Sequence, residues 1–148
     1  MTWNTALTDV SSTQDEELGI FRFENSKVYQ YVLAGGAITQ YDWVKASGTT
    51  GTTIVPTAQT TGINDPCMGA SQVAMTSAYY GWIQREGAGT VKKDTDYDCA
   101  SGDALMGGTQ AGCCKKLVTN AGISGCYGVA LAAATTTVAT VTALIKGM

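Results

Sequence analysis

The stretch Val138-Ala139-Thr140-Val141-Thr142-Ala143-Leu144-Ile145-Lys146 decides the fold class. Read in steps of two, it puts Ala139, Val141, Ala143 and Ile145 on one face and Val138, Thr140, Thr142 and Leu144 on the other. Successive side chains of a strand point to opposite sides, so this alternation describes a strand rather than a helix. Just before it, Gly128-Val129-Ala130-Leu131 reads as a second strand, joined through an Ala/Thr turn. The segment from Gly128 to Ile145 has no charge and is long enough to be weighed as a membrane span. Its Thr content and β-branched spacing favour strands, so no membrane partner is expected.

Working back along the chain, Tyr79-Tyr80-Gly81-Trp82-Ile83-Gln84 reads as a strand ending at Gly87, with Thr90-Val91 beyond it. Phe21 and Phe23 alternate with Arg22 and Glu24, and Val28 to Leu33 forms a β-rich run closed by Gly35-Gly36. Ala37-Ile38 and Tyr41 to Val44 give a further strand or a short pair. From Ser47 to Thr61 the chain is a Thr/Gly loop around Ile54-Val55. Asn64-Asp65-Pro66 has the chemistry of a helix start, but Gly69 and Val73 weaken it, so residues 67–78 stand between short helix and strand, with strand ahead. Turns fill Asp94 to Gly112 around Ala104-Leu105-Met106, and Cys113 to Asn120 has room for one helical turn.

The composition agrees. Hydrophobic residues make up 45%, charged residues only 14% against about 25% in an average soluble domain, and there are 22 Thr and 18 Gly. The 148 residues fit one domain, read as a compact β-sandwich or barrel-like, β-tulip-like body over residues 20–148 with an extended N-terminal arm over residues 1–19. The arm is polar but carries Trp3, Leu7 and Val10; a loosely ordered tail is the competing reading, although such a tail has no need of a Trp.

Several functions drop out. With no His, Ser-His-Asp, Cys-His and His-zinc chemistries are excluded. Nine Lys+Arg against twelve Asp+Glu give a net charge of -3, which provides no footprint for nucleic acid. Asp94, Asp96 and Asp98 are spaced like the first half of a calcium loop, but Cys99 stands where Gly is needed and Leu105 where a bidentate Glu belongs. They read as a solvated acidic turn. Five Cys, among them Cys113-Cys114 beside Lys115-Lys116, show no metal or CxxC spacing and read as free, mostly buried thiols from a reducing cytoplasm. A pKa lowered by the two lysines is the competing reading for that pair. Tyr79, Tyr80 and Trp82 read as core or interface rather than as a ligand platform. No catalytic, cofactor or metal residue is assigned, and so little surface charge points to a chain packed against others.

Three landmarks occur in order: Tyr80-Gly81-Trp82-Ile83-Gln84 with Gly87 and Val91, then Gly102-Asp103-Ala104-Leu105, then Gly128-Val129-Ala130-Leu131 with its Ala/Thr-rich closing strand. Together they resemble the small β-rich head proteins of tailed bacteriophages, the capsid decoration or cement proteins. Lys27-Val28-Tyr29 and Ala34-Gly35-Gly36-Ala37-Ile38 are similar to the opening strands of such proteins. The resemblance implies a non-enzymatic virion protein, made in the host cytoplasm and added to the outer capsid surface. Its partners would be the major capsid protein and further copies of itself, as a homotrimer. On that reading Trp3, Leu7, Val10, Leu18, Ile20 and Phe21 form the capsid or inter-subunit interface. A receptor-binding or fibre-like adhesin, using loops such as Ser47 to Thr61, is the alternative.

Overall fold

The computed structural model describes residues 3–57, 67–117 and 128–147, and the described residues are all-β, with no helix. The strands are β1 (Val10–Ser11), β2 (Phe21–Glu24), β3 (Lys27–Ala34), β4 (Trp43–Ala46), β5 (Thr53–Pro56), β6 (Cys67–Ser71), β7 (Tyr80–Lys92), β8 (Ala104–Gly107), β9 (Cys114–Lys116), β10 (Gly128–Ala130) and β11 (Thr140–Lys146). Five of them close a barrel in the order β3-β5-β4-β6-β7, sealed by pairing of β3 with β7. All the barrel pairings are antiparallel except β3 with β5.

The long strand β7 belongs to two sheets. Its first half lines the barrel, and its second half, Glu86 to Lys92, pairs with β11, which leads on through β10 and β8 to β9. The sequence reading ends this strand at Gly87, whereas the structure bends it there and carries it on. Val28 faces Glu86 and Tyr29 faces Gln84, so Arg85 is the extra residue of a bulge. Gly87 follows at φ +99, where an added Cβ would lie 3.0 Å from the Ser26 carbonyl oxygen and 3.2 Å from Lys27 Cα. Glycine permits the bend, so the ladder does not stop.

Two other sequence readings resolve in the same way. Residues 67–71 form strand β6, and Gly69, at φ +152, allows the Gln84 carbonyl to approach within 2.2 Å of where its Cβ would be. The helical turn expected after Cys113 is instead β9, which pairs with β8 from Leu105↔Lys116 to Gly107↔Cys114. The proposed helix start at residues 64–66 lies outside the described residues.

A repeated unit organises the barrel. Ile38 and Met75 exchange N–H···O bonds of 2.9 Å as an isolated antiparallel bridge. On either side of them the bonds match. Ala78 N donates to Ala34 O at 2.7 Å and Tyr41 N to Ser71 O at 2.7 Å, while Ala34 N donates to Tyr79 O at 2.8 Å and Ser71 N to Asp42 O at 2.9 Å. The unit strand-bridge-turn-strand therefore occurs twice about a local two-fold axis. Cys99 and Ala134 form an equivalent bridge in the second sheet, where Gly102 N donates to Ala130 O and Ala130 N to Asp103 O. Each bridge residue is followed by a turn: Thr39–Asp42, Thr76–Tyr79, Ala100–Asp103 and Thr135–Val138. In three of these the third residue, Tyr41, Ala78 or Gly102, has positive φ.

Alternation along the shared strands divides the buried apolar side chains into three groups. Val32, Ala34, Ile38, Val44, Ile54, Met68, Met75 and Ile83 fill the barrel. Trp43, Val91, Leu105, Ala130, Val141, Ala143 and Ile145, with three cysteines, pack between the barrel wall and the second sheet. Tyr29, Tyr31 and Trp82 lie on another stretch of wall. In β11, Val141, Ala143 and Ile145 are buried while Thr142 and Leu144 are exposed, which is the alternation expected from the sequence.

Candidate interaction surface

The N-terminal arm lies on its own barrel. Trp3, Leu7, Leu18 and Ile20 pack against Tyr29, Tyr31 and Trp82, and Val10 pairs with Gly81 in β1–β7 and packs toward the barrel core. The reason is chemical: Tyr31 and Trp82 point outward from the wall, and without a cover they would form a large wet aromatic patch. Trp3 meets Trp82 edge-on, with ring centroids 5.4 Å apart, and the Arg22 guanidinium sits 5.5 Å from the Trp3 ring and 5.9 Å from that of Trp82. Trp82 Nε1 donates to Thr5 Oγ1 at 2.9 Å, Arg22 donates to Thr5 O at 2.9 Å, and Glu16 Oε1 accepts from the N–H of Asn4 and Thr5 at 2.7 and 3.1 Å. Beside this strap lies an open polar recess of about 790 Å³ lined by Asn4, Thr8, Asp9, Ser11 and Asp15 among others.

Of the six residues assigned to an interface, five are thus at least half-buried against the chain's own body, and Phe21 is the exception. Phe21 and Phe23 project from β2, the end strand of the barrel sheet, with 45% and 77% of their surface exposed. The Arg85 guanidinium lies 5.8 Å from the Phe21 ring. Phe23 was not singled out in the sequence, where its alternation with Arg22 and Glu24 marks a strand without saying which face is wet.

The other uncovered apolar surface is the outer face of the second sheet. Leu131 and Leu144 are exposed there, alongside Ala88 and Thr142, with Thr90 half-buried between them.

The remaining candidates are internal. Asp94 is buried rather than solvated. Burial pushes its carboxyl up, but the Thr109 hydroxyl and N–H, at 2.5 and 3.0 Å, and the Asp96 N–H, at 3.2 Å, outweigh that and hold it below the usual carboxylate range. Asp96 and Asp98 are exposed, and no group of three or more metal-ligating side chains occurs among the described residues. Lys93 is buried, with its ammonium donating to the carbonyls of Asp94 and Tyr97. Cys67, Cys99, Cys113 and Cys114 are free, buried thiols. Burial pushes Cys114 up to about 12 and raises Cys113 too, so the neighbouring lysines do not activate the pair. Cys126 lies outside the described residues. Tyr80 stacks on Tyr31 at 6.3 Å, and Trp82 is covered, so these aromatics serve packing. No described helix is long and apolar enough to cross a membrane.

No protein-family model matches the chain, and no curated protein matches its sequence. The fold is similar to a solved structure, the N base of the head fiber gp8.5 of bacteriophage phi29, with a TM-score of 0.56 at 16% identity. The match covers 82% of this chain and 98% of that one, so the barrel with its added strands is an architecture also found at the base of a phage head fibre.

Proposed function

We propose that this chain is a structural protein of a bacteriophage head, mounted on the outer capsid surface and working by binding, without catalysis, cofactor or nucleic acid. The observation that carries the reading is the fold shared with the phi29 head-fibre base over nearly all of that chain. It joins the resemblance of residues 20–146 to capsid decoration proteins, which rests on different grounds.

In the first form of the proposal the chain is a cement protein that bridges neighbouring subunits of the major capsid protein. Many weak contacts repeated over a shell add up to firm attachment. Phe21 and Phe23 on the end strand β2 suit such a contact, since an edge strand offers both backbone pairing and side-chain anchors. The second form, a fibre base or adhesin mount, is favoured by the neighbour's own role as the base of a head fibre.

Adding the purified protein to empty heads built from the major capsid protein of the same phage tests both. Saturable co-sedimentation with a raised shell melting temperature is expected of cement, and co-sedimentation without that rise is expected of a fibre mount. Failure to co-sediment at tens of micromolar protein would sink the virion reading.

A further inference from the structure

The outer face of the second sheet has a property that does not depend on the virion reading: it is complementary to itself. Along β7 and β11 the outward residues pair as Glu86↔Lys146, Ala88↔Leu144, Thr90↔Thr142 and Lys92↔Thr140. The first three rungs set unlike charges, small against large, and hydroxyl against hydroxyl, while at the fourth the Lys92 ammonium pairs with Asp42 of its own chain. The centre of the face has no charge, and Leu144 stands proud of it with 46% of its surface exposed, next to Ala88. On the far side of β11, Val129 lies opposite Leu144, and Leu131 extends the apolar area.

We propose that this face is a two-fold contact between two copies of the chain, with the axis parallel to the strands and midway between β7 and β11. Under that operation each copy's β7 lies over the other's β11 at the same level. Glu86 then meets the partner's Lys146, Leu144 fills the shallow place over the partner's Ala88, and Thr90 meets the partner's Thr142. Threonine suits such a centre because its hydroxyl both donates and accepts, so one Thr satisfies another. Facing sheets keep their strands within about 30° of each other, which leaves the central rungs in register. An isologous interface needs a surface that fits itself, and the three rungs from Glu86 to Thr90 supply this.

The test uses the full chain and reads self-association by sedimentation equilibrium. The wild type is expected to be a dimer, and Leu144→Asp to weaken association by about thirtyfold or more. Glu86→Lys leaves two cations at the end of each face and Lys146→Glu leaves two anions, so each variant repels its own copy and each should dimerise about tenfold more weakly. Mixed together, the two variants should form a heterodimer at near wild-type affinity. Only a contact between chains produces that rescue, because every intrachain Glu86–Lys146 pair in the mixture remains like-charged. Thermal melting of each variant checks that it is folded. A monomeric wild type, a trimer, or a dimer indifferent to Leu144→Asp and to charge reversal would overturn the proposal.

Discussion

Asp94 and Gly87 show how much a single position can do here without touching a ligand. Asp94 is an acidic residue in an acidic run, yet its carboxylate ties the start of the Asp94–Asp98 turn to Thr109 across the strand end. Its folded pKa is depressed, so its contribution is fully present above the unfolded value of about 3.9 and is lost as pH falls through the lower folded value. The stability gap between wild type and Asp94→Asn should therefore narrow steadily from about pH 5 to pH 2, as followed by chemical denaturation. A gap that stays constant would remove the ionised carboxylate from the account. Gly87→Ala should cost about 2 kcal/mol, since it adds both a steric contact and a positive φ, with the loss read from the denaturation midpoint. The buried thiols give a third expectation: Cys67, Cys99, Cys113 and Cys114 should stay unmodified by iodoacetamide at about pH 8 in the native protein and react on unfolding, as mapped by peptide mass.

Strands were legible where one face is wet and the other dry. The alternation of Val141, Ala143 and Ile145 with Thr142 and Leu144 gave β11 its face before any coordinates, and the runs at Val28 and Tyr79 marked β3 and β7. The arm was legible only as composition. Trp3 and Thr5 find their partner in Trp82, 77 residues beyond Thr5, and no local pattern reports so distant a contact. The turn repeat escaped notice for another reason. Thr39–Asp42, Thr76–Tyr79, Ala100–Asp103 and Thr135–Val138 share a hydrogen bond, and three of them begin with Thr, too short a signature to stand out in a chain with 22 Thr. Trp3, Leu7, Leu18 and Ile20, read as interface residues, cover the outward Tyr31 and Trp82 of their own chain. Removing residues 1–19 should thus lower the melting temperature by several degrees or prevent folding, and Trp3→Ala alone should cost about 2–3 kcal/mol. Circular dichroism and tryptophan fluorescence would register both, and an unchanged melting temperature would show the strap to be an ornament of the crowded wall.

For the molecule as a unit, the absence of His and the shortage of charge narrowed the function class more than any motif did. They favour the proposed binding role for this β body, whose fold is similar to that of a phage head-fibre base. On the proposed reading, a capsid contact uses apolar faces that remain uncovered after folding. Two faces remain among the described residues, the β2 edge with Phe21 and Phe23 and the outer side of β7 and β11. They separate experimentally. A Phe21→Asp, Phe23→Asp double variant should lower shell co-sedimentation at least tenfold while leaving the dimer intact, and Leu144→Asp should do the reverse.

The shared strand β7 also sets a timetable. The first wall of the barrel, β3, is complete by Ala34, but the strand that seals it begins at Tyr80, and the same strand must then receive β11 near the end of the chain. On the ribosome, at about 5–20 residues per second, β3 waits several seconds for its long partner. During that wait β3 has only β2 and β5 among its pairing strands. Topology of this kind places the rate-limiting event late and makes it non-local. A nascent chain arrested before Tyr80 should stay protease-sensitive, whereas one released past Lys92 has every strand the barrel requires.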